Sequence, residues 1–129
     1  MSVVNVRYIV NQIDEAIRFY TEQLDFDLIM HPAPSFAMLQ RGDLRLLLSA
    51  PSQEGGGGQT LSDGTKPEPG GWNRFHLDVD DLEATVSRLK KQGAHFRNEI
   101  VEGVAGKQIL LEDPSGNLIE LFEYYKRES

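Results

Sequence analysis

Cysteine is missing altogether from the 129 residues. That absence excludes disulfide staples, thiolate metal ligands and a cysteine nucleophile. Basic side chains are scarce: 13 Lys and Arg stand against 20 Asp and Glu, for a formal net charge of -7. No run of Lys or Arg interrupts this acidic balance, so a phosphate backbone meets a repulsive field and nucleic acid is excluded as a partner. Apolar runs such as Leu46 to Leu48 fall far short of the roughly 20 residues a membrane-spanning helix needs. The start, Met1 to Arg7, has no basic residue leading into an apolar stretch, unlike a secretory signal. A cytoplasmic protein with no membrane partner is expected. The hydrophobic share is 40% and the charged share 26%, ordinary for one globular domain or two halves sharing a core.

Glycine and proline are concentrated in one place. Residues 51–71 hold ten of them, including the run Gly55 to Gly58, and only Leu61 offers a large apolar side chain. Such a stretch cannot offset its ordering entropy by burial and reads as a linker or mobile loop, with a lid over a binding site as the alternative. The glycine run lacks the Lys-Ser/Thr ending of a phosphate-cradling loop. This divides the chain into a first module at 1–50, the loop at 51–71, a second module at 72–125 and a polar tail at 126–129.

The two modules repeat one pattern. Val4, Val6, Tyr8 and Val10 alternate as in a strand, and Ile13, Ile17, Tyr20 and Leu24 follow with helical spacing. Beyond the loop, Phe75, Leu77 and Val79 alternate again, Asp80-Asp81 offers a helix cap, and Leu82, Val86 and Leu89 repeat the helical stripe. A shift of 69 places lays Ile13-Asp14 on Leu82-Glu83 and Ile17 on Val86. Three strand candidates follow each helix: Phe26–His31, Phe36–Gln40 and Leu44–Leu48, then Phe96–Val101, Lys107–Glu112 and Leu118–Tyr124. Asp113-Pro114-Ser115-Gly116-Asn117 is a strong turn signal between the last two. Each half is therefore read as βαβββ, an internal repeat that outweighs any single motif.

Three phrases in order carry a resemblance: Ile13-Asp14-Glu15-Ala16-Ile17-Arg18-Phe19-Tyr20, Val79-Asp80-Asp81-Leu82-Glu83-Ala84, and Leu111 to Leu121 around Asp113-Pro114-Ser115-Gly116-Asn117. With the tandem repeat they resemble the vicinal oxygen chelate superfamily, the group of glyoxalase I, bleomycin-resistance proteins, fosfomycin-resistance enzymes and extradiol dioxygenases. The resemblance covers nearly all the chain outside the loop. It implies an α+β fold of two βαβββ modules forming a curved, barrel-like cup. The cup would enclose a small-molecule site, commonly in a homodimer. Fold alone leaves the function open.

Metal-using members place ligands on the first and fourth strand of each module. Counted from the strand-helix junctions, and by matching Gly42-Asp43-Leu44 to Gly116-Asn117-Leu118, these positions hold Asn5, Leu46, Arg74 and Glu120. Only Glu120 is a normal ligand. Asn is a weak donor, Leu cannot coordinate and a guanidinium repels a cation. The expectation is therefore a protein without a metal cofactor. The alternative is a shifted divalent site using His76, Glu120 and Gln108. His31 and His95 read as surface or edge histidines.

The rest of the cup lining follows from strand alternation. Asn5, Arg7 and Ile9 with Leu46 and Leu48 are assigned to the cup face of the first module. Arg74, His76 and Asp78 with Glu120, Phe122 and Tyr124 are assigned to that of the second. Trp72 either caps the core or walls the cup mouth. Arg7 or Arg74 would bind an anionic or carbonyl group while the aromatics stack on an apolar body. Three functions compete: ligand binding without metal, an enzyme working through a shifted metal or a Glu120–His76 acid-base pair, and a vestigial cup plugged by an Arg74–Glu120 ion pair.

Overall fold

The computed structural model describes residues 3–52 and 56–126. It divides into two compact units, the first comprising residues 1–70 with 114–117 and the second 71–113 with 118–129. The first unit contains β1 (Val4–Ile9), α1 (Ile13–Gln23), β2 (Asp27–Ala33), β3 (Phe36–Arg41) and β4 (Leu44–Ser49). Its sheet runs in the order β1-β4-β3-β2. The first strand lies parallel to the last, and the remaining pairs are antiparallel. Asp14 and Glu15 sit in the first turn of α1, where acidic groups complement the helix dipole.

The core of this unit is made by Tyr8, Ala37, Leu39, Leu46 and Leu48 from the strands, Val10 just after β1, and Ile13, Ala16, Phe19 and Tyr20 from α1. Of the expected helical stripe Ile13, Tyr20 and Leu24 are buried and Ile17 is only half-buried, while Ala16 and Phe19 are covered as well. Phe19 meets Tyr20 edge-on at 5.0 Å, and Tyr20 meets Phe26 at 5.5 Å. On the edge strand β2, Leu28, Ile29 and Met30 are exposed. Register shifts and Pro32 interrupt this edge, which blunts it against further pairing.

The glycine-rich segment is counted with the first unit as far as Gly70; residues 53–55 of it, with Gly55, lie outside the described residues. Ser49 Oγ donates to the Gly56 carbonyl at 2.6 Å, and Ser52 N to the Gly58 carbonyl at 3.1 Å. A side chain at Gly57 would collide with the Arg7 guanidinium. Glycine there allows backbone to lie directly on an arginine. Leu61, the one large apolar residue of the segment, is 57% exposed. The turn residue Asn117 ties the unit together: its amide donates to the Ile9 carbonyl at 2.8 Å, and its oxygen accepts from Gly70 N at 2.7 Å.

The second unit holds β5 (Arg74–Asp78), α2 (Leu82–Lys91), β6 (His95–Phe96), β7 (Val101–Glu102), β8 (Gly106–Glu112) and β9 (Leu118–Tyr124). Its sheet order is β5-β9-β8-β6, with β7 also on β8, and β5 lies parallel to β9. This repeats the topology of the first unit. Asp81 caps α2, its carboxylate accepting from Ala84 N at 3.0 Å, and Leu82, Val86 and Leu89 are buried as their spacing predicts. The strand expected at Phe96–Val101 is instead two short strands, one on each half of β8. Between them the Asn98 side chain accepts from Leu110 N at 2.9 Å, so an amide side chain takes a place the strand carbonyl would hold. The polar tail falls largely on residues 127–129, outside the described residues.

Asn117→Ala should destabilise the fold by about 1–3 kcal/mol, because it leaves a carbonyl and an N–H without their partner. Urea denaturation of the two proteins checks this.

Candidate functional site

In each unit one sheet face packs on its helix and the opposite face is free of it. Parallel partners point to the same side of a sheet, so register alone decides which residues share the open face. In the second unit His76 is opposite Glu120 and Asp78 is opposite Phe122, while Gln108 and Leu110 of β8 face Phe122 and Glu120. The expected group Arg74, His76, Asp78, Glu120, Phe122 and Tyr124 therefore stands together on one face. Ile119, Leu121, Ile109 and Leu111 turn the other way and are buried.

Contacts on this face are specific. Arg74 Nη2 and Nε donate to Glu120 Oε1 at 2.9 and 3.1 Å, and Nη1 donates to the Trp72 carbonyl at 3.1 Å. All three guanidinium nitrogens thus have an acceptor. The side chains of Arg74 and Glu120 remain 29% and 14% exposed, so the pair is set into the surface rather than sealed beneath it. His76 Nε2 lies 2.6 Å from Asp78 Oδ1, and its Nδ1 lies 3.7 Å from Glu120 Oε2. A carboxylate accepts only, so Nε2 carries the hydrogen toward Asp78. The Nδ1 separation exceeds hydrogen-bond distance.

An aromatic cluster borders the ion pair. The His76 ring stacks on Phe122 at 4.9 Å, and Phe122 meets Tyr124 at 4.6 Å. Gly106 makes room for it, because a side chain there would strike the Phe122 ring and the Glu123 backbone. Trp72 is 67% exposed, which overturns its expectation as a core cap. The Arg97 guanidinium lies 5.6 Å from its ring centre, and backbone leading into β5 leaves the indole outward. His31 and His95 are both exposed on strands.

The first unit requires a correction. Leu46 and Leu48 are opposite Val6 and Tyr8, and both are fully buried on the helix side. They do not share a face with Asn5 and Arg7. Those residues are opposite Arg45 and Leu47, with Gln40 and Met38 next to them on β3. The cause lies in the turns. Gly42-Asp43 connects β3 to β4 directly, whereas residues 113–117 connect β8 to β9. Matching the turns therefore misplaces the strand by one residue, and in a strand one residue reverses the face. A signal was present: Arg45 is the only charged residue in Leu44-Arg45-Leu46-Leu47-Leu48-Ser49, and placing it away from the helix fixes the remaining alternation.

The donor set does not suit a metal. The position opposite Arg7 is Leu47, which cannot coordinate, and Glu120 Oε1 is held by a guanidinium whose positive charge opposes a cation. His76 already binds Asp78 through one nitrogen. Among the described residues no group of three or more His, Asp and Glu is arranged to hold a metal ion.

Residues 2–121 match the family model of the Glyoxalase/Bleomycin resistance protein/Dioxygenase superfamily. A protein of Shewanella frigidimarina (strain NCIMB 400) described as uncharacterized is 30% identical over 130 residues, covering 95% of this chain and 93% of its own. The lactoylglutathione lyase of Agrobacterium tumefaciens superposes with a TM-score of 0.71 at 18% identity, covering 95% and 92% of the two chains. TnmS3, an antibiotic binding protein from Streptomyces sp. CB03234, gives 0.73 at 24% identity, covering 97% of each. At such identities these structures share the fold. No helix among the described residues is long and apolar enough to cross a membrane.

The corrected register has a measurable consequence. Leu46→Ala should cost about 2–5 kcal/mol of stability, as core leucines do, whereas Leu47→Ala should cost about 1 kcal/mol. Denaturant unfolding of both variants checks the assignment, and equal losses would contradict it.

Proposed function

The chain belongs to the Glyoxalase/Bleomycin resistance protein/Dioxygenase superfamily, and from that premise we propose that it binds a small organic molecule without a metal ion. One observation carries this reading: the Arg74 guanidinium rests on Glu120 at 2.9 Å. The one acidic ligand position of the resemblance is thereby engaged by a fixed cation. The aromatic cluster of His76, Phe122 and Tyr124 beside it supports recognition of a planar or apolar body by stacking. Binding of this kind needs a mostly apolar surface with a few fixed polar groups. Arg74, with each nitrogen accepted, serves to shape the face. A lyase and an antibiotic binding protein share this fold, so the choice between catalysis and binding rests on the residues of this chain.

A second reading draws on one further observation. Asp78, His76 and Glu120 form a row in which the imidazole has a carboxylate on either side, at 2.6 and 3.7 Å. Such a row can hold a proton for transfer to a substrate carbon once Glu120 and His76 close to hydrogen-bond distance. Saturable turnover of a substrate without metal, abolished in Glu120→Gln, would favour this enzyme. The homodimer is part of the first proposal, and molar mass by light scattering tests it.

Protein purified without added metal or chelator should contain no stoichiometric metal, and nickel, zinc, manganese, iron(II) and cobalt should leave its melting temperature unchanged. Saturation of a real site at 100 times its dissociation constant would add about 2.7 kcal/mol, a shift easily read. One metal per chain, lost in Glu120→Ala, would overturn the metal-free reading.

A further inference from the structure

We infer that the open face of the first sheet carries a binding site for an organic oxyanion, a carboxylate or phosphate on an apolar body, with Arg45 and Arg7 as its recognition groups. The inference rests on the ligand-binding reading above and adds the chemical class of the ligand, using residues of the first unit that the reading does not use. Arg45 is the observation that points there. Its Nε is buried and has no hydrogen-bond partner among the described residues. A buried donor without an acceptor weakens a fold, and native structures keep few of them. Arg45 as a whole is only half-buried, so a small shift of its side chain opens this unpaired donor to an acceptor from outside.

The surroundings fit an anion with an apolar attachment. Arg45 is opposite Asn5 on one side and Gln40 on the other, and Arg7 is opposite Leu47 on the adjacent strand. Two guanidinium groups and two side-chain amides therefore share one face. Leu47 and Met38, also opposite each other, supply an apolar floor between them and Phe36. Gly57 lies with bare backbone against the Arg7 guanidinium, closer than a Cβ would allow without the arginine shifting. The chain has 20 acidic residues, yet these four strands place only Asp27 on this face, on the edge strand beyond Gln40. No described carboxylate forms an ion pair with Arg7 or Arg45. A guanidinium fork matches the two oxygens of a carboxylate or phosphate, which a neutral amide cannot exploit.

The test uses the full chain labelled with nitrogen-15, titrated with benzoate, phenylphosphate, inorganic phosphate and the neutral benzamide. The side-chain Nε–H signals of the arginines are followed. Benzoate or phenylphosphate should shift the Arg45 Nε–H signal in a saturable way, and whichever binds more tightly separates a carboxylate ligand from a phosphate one. Benzamide should leave that signal in place, and inorganic phosphate should bind more weakly than phenylphosphate. Arg45→Gln and Arg7→Gln should each weaken binding about tenfold or more, and Arg45→Lys should not restore it, since an ammonium lacks the fork. Should a variant fail to fold, the wild-type Nε–H titration decides alone. Anions that leave the Arg45 signal unmoved, or that bind Arg45→Gln as tightly as the wild type, overturn the inference. If at the same time a neutral aromatic ligand still binds and loses affinity in Phe122→Ala, the ligand-binding reading survives that failure. If no probe binds either face, both fall.

Discussion

Parallel pairing between the first and last strand of each module is the constraint on which the rest of the structure depends. It joins residues far apart in sequence: β1 with β4 across α1 and two strands, and β5 with β9 across α2 and three. Loop closure over such separations is costly in entropy. The pairing is held by the leucine-rich faces it brings against a helix, Leu46 and Leu48 in one unit and Ile119 and Leu121 in the other. Because side chains alternate, fixing those faces toward the helix also fixes everything on the opposite face. The chemistry of this protein is set by that second, passive choice.

The two open faces then differ in character although their topology is the same. The second carries a paired cation and anion, an imidazole between carboxylates and a cluster of rings. Its charges are mutually satisfied, and aromatic side chains border them. The first carries guanidinium groups that no described carboxylate pairs with, above an apolar floor. The same topology thus carries a neutralised face in one unit and a cationic one in the other, a division seen only after each residue is assigned its side.

Glycines contribute by what they leave out. At Gly57 the missing side chain lets backbone rest on Arg7, and at Gly106 it admits the Phe122 ring. A composition rich in glycine suggests slack chain, yet at Gly56 to Gly58 the described backbone is bonded to Ser49 and Ser52. The same residue type supports mobility or close approach, and only its neighbours in space decide between them.

Local signals of period and capping were legible in the sequence: the repeat, the strand alternation of Val4 to Val10, the Asp81 cap and the helical stripe of Leu82, Val86 and Leu89. Those features arise from residues within one or two turns of each other, so the sequence by itself determined them. The second open face was legible too, because polar and apolar residues alternate cleanly in Arg74 to Asp78 and Glu120 stands alone between Ile119 and Leu121. The first was legible only through Arg45: in Leu44 to Ser49 four leucines fill both faces, and matching the turns pointed to the opposite phase. Pairing with β1 carries Leu46 into the core and Arg45 onto the open face, and the packing of α1 covers Ala16 and Phe19 while leaving Ile17 half-buried. Tertiary structure decided these matters because a one-residue slip costs nothing locally and reverses every side chain globally.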